Sequence, residues 1–205
     1  MRIKTVILTL LCLFLLAGCT SSINLASEDA ATLLIRRDGT IDELTIEDFD
    51  ADYYTREALT SYVQKAVDDY NLAHPVPETE GEKGDKKAPV YAVSLQDITV
   101  KDGQARMILS YLTAEDYSTF NETSLRFVPA DDVVPALLTE DTLTDAKGNA
   151  ANEDDAAAGG CALILNEAKR VRTEGKIGFI STNVTLTDER LAESADGQRS
   201  VIIFK

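Results

Sequence analysis

Residues 90–113 read VYAVSLQDITVKDGQARMILSYLT, and this stretch decides the fold class. Asp102-Gly103 lies between two apolar-rich segments. Such a pair is a strong hairpin signal, because a two-residue turn needs left-handed backbone that Asp and Gly tolerate. A turn there pairs Val100 with Ala105 and Ile98 with Met107. Those four side chains then fall on one face, as a period of two requires. Val93 and Leu95 are out of phase with Ile98 and Val100, which predicts a bulge or a twist near Gln96.

Working outward, Asp38-Gly39 marks a second hairpin between 33–35 and 41–46. Residues 53–71 carry Leu59, Tyr62, Val63, Ala66, Val67 and Tyr70 at spacings of three and four. That places them on one stripe of an amphipathic helix. Asp52 or Thr55 is positioned to cap its start, and Asn71, Pro75 and Pro77 to stop it. Residues 74–89 are charged and rich in Pro and Gly, with little to bury, so a mobile loop is expected there. A second mobile polar loop is expected over 139–160. A helical turn fits 114–121, a strand 124–128 and a short helix 131–138.

The C-terminal part reads as three strands, 162–172, 176–186 and 199–204. Thr173-Glu174-Gly175 turns the first pair, and Asp196-Gly197 precedes the last strand. Val201-Ile202-Ile203-Phe204 is apolar on both faces and therefore belongs at a central or covered position. The expected fold class is α+β: a mostly antiparallel sheet of hairpin-linked strands, with one amphipathic helix (53–71) packed on a face. Residues 32–205 form one such domain.

The N-terminus has a different character. Arg2 and Lys4 precede an apolar run over 5–16, which ends in Leu16-Ala17-Gly18-Cys19. A charged start, a short apolar centre and small residues at the end make an export signal. The apolar run is shorter than the roughly 20 residues a membrane-spanning helix needs. Leu16 stands where peptidases that release soluble proteins favour a small residue. The stretch resembles the lipobox of bacterial lipoproteins. That resemblance implies that residues 1–18 are removed and that Cys19 is lipidated. The thiol would carry diacylglycerol, and the new amine a fatty chain of the palmitate kind. One chain holds a protein to a bilayer only marginally, whereas two or three anchor it stably. Residues 19–31 then read as a lipidated tether.

Removing 18 of 205 residues leaves 187, enough for one domain with a real core. The formal charge is −15, and losing Arg2 and Lys4 makes the mature chain −17. Such a balance opposes nucleic-acid binding, which needs basic patches. Lys169, Arg170 and Arg172 are the exception and read as the solvated face of a strand. Cys12 leaves with the signal and Cys19 takes lipid, so Cys161 has no disulfide partner in the chain. It reads as a buried, inert thiol.

No catalytic, cofactor-binding or metal-binding residue is assigned. His74 is the one histidine, and zinc sites use three or four ligands. Cys161 with His74 as base is a conceivable nucleophile pair, but nothing in the sequence activates the thiol. The segment 145–149 has a calcium-loop flavour, yet Lys147 occupies a ligand position and no spaced Glu closes it. The acidic clusters Asp131-Asp132, Glu140-Asp141 and Glu153-Asp154-Asp155 read as solvated surface. Tyr53, Tyr54, Tyr62 and Tyr70 offer a ligand surface, with Tyr62 and Tyr70 assigned to core packing by their place on the apolar stripe. Two glycosylation sequons, at Asn121 and Asn183, are idle in a bacterial export context.

Two further stretches resemble uncharacterised small lipoproteins of Gram-positive anaerobes. They run from Asp52-Tyr53-Tyr54 to Asp69-Tyr70-Asn71, and from Gly175-Lys176-Ile177-Gly178-Phe179 to the ending Ile203-Phe204-Lys205. This resemblance implies export and lipid anchoring and no activity. The expected role is a non-enzymatic binding or interaction module on the extracytoplasmic face of the cell membrane. Its expected contacts are the membrane, through lipid on Cys19, and an envelope protein or small ligand. The alternatives are a transporter's solute-binding lipoprotein or an envelope enzyme with an acidic site.

Overall fold

Asp102 and Gly103 adopt φ of +54° and +76°, and this left-handed pair closes the hairpin on which the fold is built. The computed structural model describes residues 23–50, 55–77, 89–195 and 197–205. Residues 1–18 and Cys19 lie outside them, as do Asp52, Tyr53, Tyr54, Asp196 and the segment 78–88 of the expected loop.

In chain order the first half forms β1 (Thr32–Ile35), β2 (Ile41–Asp48), α1 (Arg56–Ala73), β3 (Val93–Lys101) and β4 (Gln104–Tyr111). Then come α2 (Ala114–Phe120), β5 (Leu125–Pro129), α3 (Ala130–Glu140), β6 (Leu143–Thr144) and α4 (Glu153–Ala157). The remainder is β7 (Cys161–Leu165), β8 (Arg170–Thr173), β9 (Ile177–Ser181), β10 (Val184–Asp188), β11 (Leu191–Ser194) and β12 (Ser200–Phe204).

The β3–β4 register pairs Val100 with Ala105 and Ile98 with Met107, and it slips between Leu95 and Asp97. The slip at Gln96 lets Val93 and Leu95 change phase without leaving the sheet. The β1–β2 hairpin forms as expected, pairing Ile35 with Ile41.

The architecture is α+β, but the expectation of one sheet carrying one helix is corrected: the described residues form two mostly antiparallel sheets and four helices. The larger has the order β10-β11-β8-β1-β2-β4-β3, and the smaller β5-β7-β12-β9-β6. The β1–β8 pair is parallel. The three expected C-terminal strands are six. Residues 162–172 divide because Cys161–Leu165 joins the smaller sheet and Arg170–Thr173 the larger. Ser194 holds the crossing: its hydroxyl accepts from Lys169 N at 2.9 Å and donates to Glu167 O at 2.7 Å. Residues 176–186 divide likewise between β9 and β10.

Thr173-Glu174-Gly175 is not a hairpin turn. It carries the chain from one sheet to the other, beside its own C-terminus. Lys176 N donates to Lys205 O and Lys205 N to Lys176 O, both at 2.9 Å. A Cβ on Gly175 would lie 1.8 Å from the Lys205 carbonyl oxygen, so only glycine fits here.

Both sheets supply one core. Leu33, Ile35, Ile41, Leu109 and Tyr111 from the larger meet Leu163, Leu165, Ile202 and Phe204 from the smaller, with Val63 and Val67 of α1. The opposite face of the smaller sheet is covered as well. Ile164, Val201 and Ile203 pack with Val134 and Leu137 of α3, Leu143, and Ala156 of α4. This double cover explains why β12 is apolar on both faces.

Two expected flexible segments are built into the fold. Residues 139–160, expected as a mobile loop, form β6 and α4 and bury Leu143 and Ala156. The Asp145 carboxylate seals the intervening turn, accepting from Lys147 N at 2.8 Å and Asn149 N at 2.9 Å. Residues 23–31, expected within a tether, begin with a 3-10 turn at Leu25–Ser27 whose Leu25 is buried against Leu34 and Leu44.

Candidate functional site

Helix α1 starts at Thr55, whose hydroxyl accepts from Ala58 N at 3.1 Å. Its side chains guard β3, the edge strand of the larger sheet. Arg56 Nε donates to Ile98 O at 3.0 Å. The Asn71 amide donates to Val93 O at 2.8 Å and accepts from Val93 N at 3.0 Å. Asn71, expected to end the helix, thus lies inside it and stands in for a neighbouring strand. Edge strands need such cover, because their outward N–H and C=O groups are otherwise open to pairing.

Between α1 and β3 lies a solvent-open groove of about 560 Å³. Val67, Leu72, Tyr91 and Leu95 supply apolar wall, and Gln64 and Asp68 line the helical side. Leu72 is 84% exposed and Tyr91 53% exposed, so apolar surface stands uncovered. Ala92 O accepts from Leu112 N at 2.8 Å, which turns Ala92 toward β4 and Val93 away from it. By the two-residue alternation, Leu95 presents its N–H and C=O to the groove side. Tyr62, expected in the core, is 76% exposed on the helix's other flank. His74 stacks on Tyr70, with ring centroids 4.1 Å apart.

The smaller sheet has a similar helix-guarded edge. The Ser118 hydroxyl of α2 accepts from Leu125 N at 3.0 Å at the start of edge strand β5. A shallower groove of about 380 Å³ runs along it, lined by Glu115, Ser118, Thr123 and Phe127 among others.

A buried polar network lies between the sheets. Glu43 of β2 is 8% exposed and accepts from Tyr111 Oη at 2.8 Å and from Lys169 Nζ at 3.2 Å. Asn121 Nδ2 reaches Tyr111 Oη at 3.1 Å and Tyr117 O at 3.2 Å. Tyr117 Oη donates to Glu167 Oε1 at 3.1 Å, and Lys169 Nζ lies 3.6 Å from that same carboxylate group. Burial, followed by the charge of Glu43, pushes both phenols well above the ordinary tyrosine range. They act as neutral donors that hold carboxylates inside the protein. Neither groove is lined by Glu43, Tyr111, Tyr117 or Lys169. Sequence reasoning missed this network. Its one signal was Glu43 in the same inward phase of β2 as Ile41.

The basic cluster is not a solvated face. Lys169 pairs with Glu43 and Glu167, while Arg172 Nε donates to Glu28 at 2.6 Å. Arg170 meets Asp29 at 2.5 Å, and its hydrogen bond and charge hold the Asp29 carboxyl below the usual range.

Cys161 is half-buried at the start of β7, with Sγ 3.9 Å from Arg37 O. Burial pushes its thiol up, against the opposing charge of Arg37. The structure does not bring His74 to it. Asn183 commits its amide to Ser200 Oγ at 2.8 Å and Arg199 O at 3.1 Å, so this sequon asparagine serves the fold. Asp145 spends its carboxylate on its own turn, and hydrogen bonds from Asn149 hold its pKa down.

Among the described residues no three His, Cys, Asp or Glu side chains are grouped to hold a metal ion. Among them, too, no helix is long and apolar enough to cross a membrane. In comparison with known proteins, the chain matches no family, no curated sequence and no solved structure.

Proposed function

We propose that this chain is a lipid-anchored, extracytoplasmic interaction module whose working surface is the groove between α1 and β3. The observation that carries the reading is uncovered apolar surface, at Leu72 and Tyr91, beside an edge strand that offers backbone groups at Leu95. An extended peptide suits this groove, laying apolar side chains against Leu72 and Tyr91 and meeting β3 at Leu95, between the Val93 and Ile98 backbone groups that Asn71 and Arg56 already occupy. Asp68 lines the site, the last turn of α1 has no basic residue, and the chain carries −15. The negative end of the helix dipole adds to this field. The occupant is therefore an extended segment of a partner protein, apolar and flanked by Lys or Arg.

An enzymatic reading lacks comparable support. Burial pushes the Cys161 thiol up, away from the thiolate that a nucleophile needs. A two-lobed receptor is not favoured either, since both sheets feed one core.

The test is photo-crosslinking in native membranes, with the acylated protein carrying the crosslinker at Leu72 or, as control, at exposed Thr187. A partner peptide of the stated chemistry attached from Leu72 and not from Thr187 supports the reading. Identical bystanders from both positions overturn it. Anchoring is tested by membrane fractionation of Cys19→Ser, which is expected to lose the membrane.

A further inference from the structure

Residues 23–29 form a strap on the face of the larger sheet that is turned away from the main core. Leu25 is buried with Leu34 and Leu44, and Ile23, Ile46 and Ile108 close around them. Arg106 Nη2 donates to Ala26 O at 3.2 Å and to Glu28 O at 2.6 Å. Arg172 Nε donates to Glu28 Oε1 at 2.6 Å, with Arg170 3.4 Å from the other carboxylate oxygen. Asp29 adds its pair with Arg170. The strap is thus fixed by an apolar plug and by three arginines from two strands.

Cys19 stands four residues before Ile23. A chain spans at most about 3.6 Å per residue, so the link from Cys19 to the strap reaches about 14 Å. A free tether to residue 32 would reach about 45 Å and permit any orientation.

Granting the anchor at Cys19, on which this rests, we infer that the strapped face of the larger sheet is the protein's membrane-facing surface. The strap seats on the Leu34 face, while Val63 and Val67 of α1 meet Leu33 and Ile35 on the other. The sheet therefore stands between the lipid and α1. Arg170 and Arg172 pair with Glu28 and Asp29 on the strapped face.

The experiment uses the acylated protein in liposomes that contain an energy-accepting lipid, in a Cys161→Ser background. A donor dye is placed at Thr99→Cys on the strapped face, where Thr99 lies opposite Arg106, or at Leu72→Cys on α1, both exposed positions remote from Cys19 in sequence. Transfer from position 99 is expected to exceed that from position 72 several-fold. Leu25→Ser combined with Glu28→Lys frees the strap and should bring the two values together, with the main core left intact. Equal transfer from both positions in the otherwise unaltered protein overturns the inference and leaves the anchor standing. A strap variant that keeps the full difference also overturns it. An unaltered protein that fails to float with the liposomes overturns the anchor, and this inference with it.

Discussion

Tyr111 on β4 reaches diagonally across the sheet to donate its phenol to Glu43 on β2, at 2.8 Å. Removing that donor leaves a buried carboxylate short of one partner. Tyr111→Phe is expected to cost about 1–3 kcal/mol, the range for a buried polar group left unsatisfied. Urea unfolding at neutral pH measures it, and an unchanged midpoint would count against the network.

The same network fixes an alkaline limit. Unfolded tyrosines titrate near 10, and the folded Tyr111 and Tyr117 titrate higher. Below about pH 10 both states keep their protons and the contribution is complete. As pH rises further, the unfolded chain releases protons that the folded chain retains, so unfolding becomes easier. Denaturant midpoints should fall from about pH 10 upward. Phenolate absorbance from these two residues should appear only on unfolding.

Val67 is 2% exposed in the core shared by both sheets. Val67→Asp places an unpaired charge there and should destabilise by more than about 3 kcal/mol. A normal melting temperature for this variant would remove α1 from the core.

Gly175 admits no side chain without moving the C-terminal carbonyl of Lys205. Gly175→Ala should cost about 1–3 kcal/mol through overpacking. Deleting Lys205 in the same background should restore part of that loss in a thermal melt.

Arg172 binds Glu28 in a partly buried pair, with the carboxylate side chain 11% exposed. Arg172→Ala should speed hydrogen exchange at the amides of residues 24–28 and leave those of β12 protected. Uniform acceleration would show that the arginine supports the whole sheet instead.

The hairpins were legible in the sequence because Asp102-Gly103 and Asp38-Gly39 are turns whose chemistry is local. The phase change at Gln96 announced its bulge for the same reason. The division of residues 162–172 was not legible. Only the polar break after Leu165 marks the crossing, and partners such as Ser194 lie far along the chain. The strap was hidden by small polar neighbours, since one buried leucine among Ser, Asn and Ala leaves no periodic signal. The groove could not be read at all. Leu72 falls on no apolar stripe, and its exposure becomes informative only beside Tyr91 and the edge of β3.

The parallel contact between β1 and β8 is the seam of the larger sheet. On one side of it stand strands from the first 111 residues, on the other strands that begin at Arg170. A nascent chain released in order can assemble β1 to β4 early, yet it leaves Thr32–Ile35 bare along one side until the late segment arrives. Completion of this sheet is therefore a whole-chain event, and a fragment lacking Arg170–Thr173 would display an open, apolar strand ready to pair with the wrong neighbour.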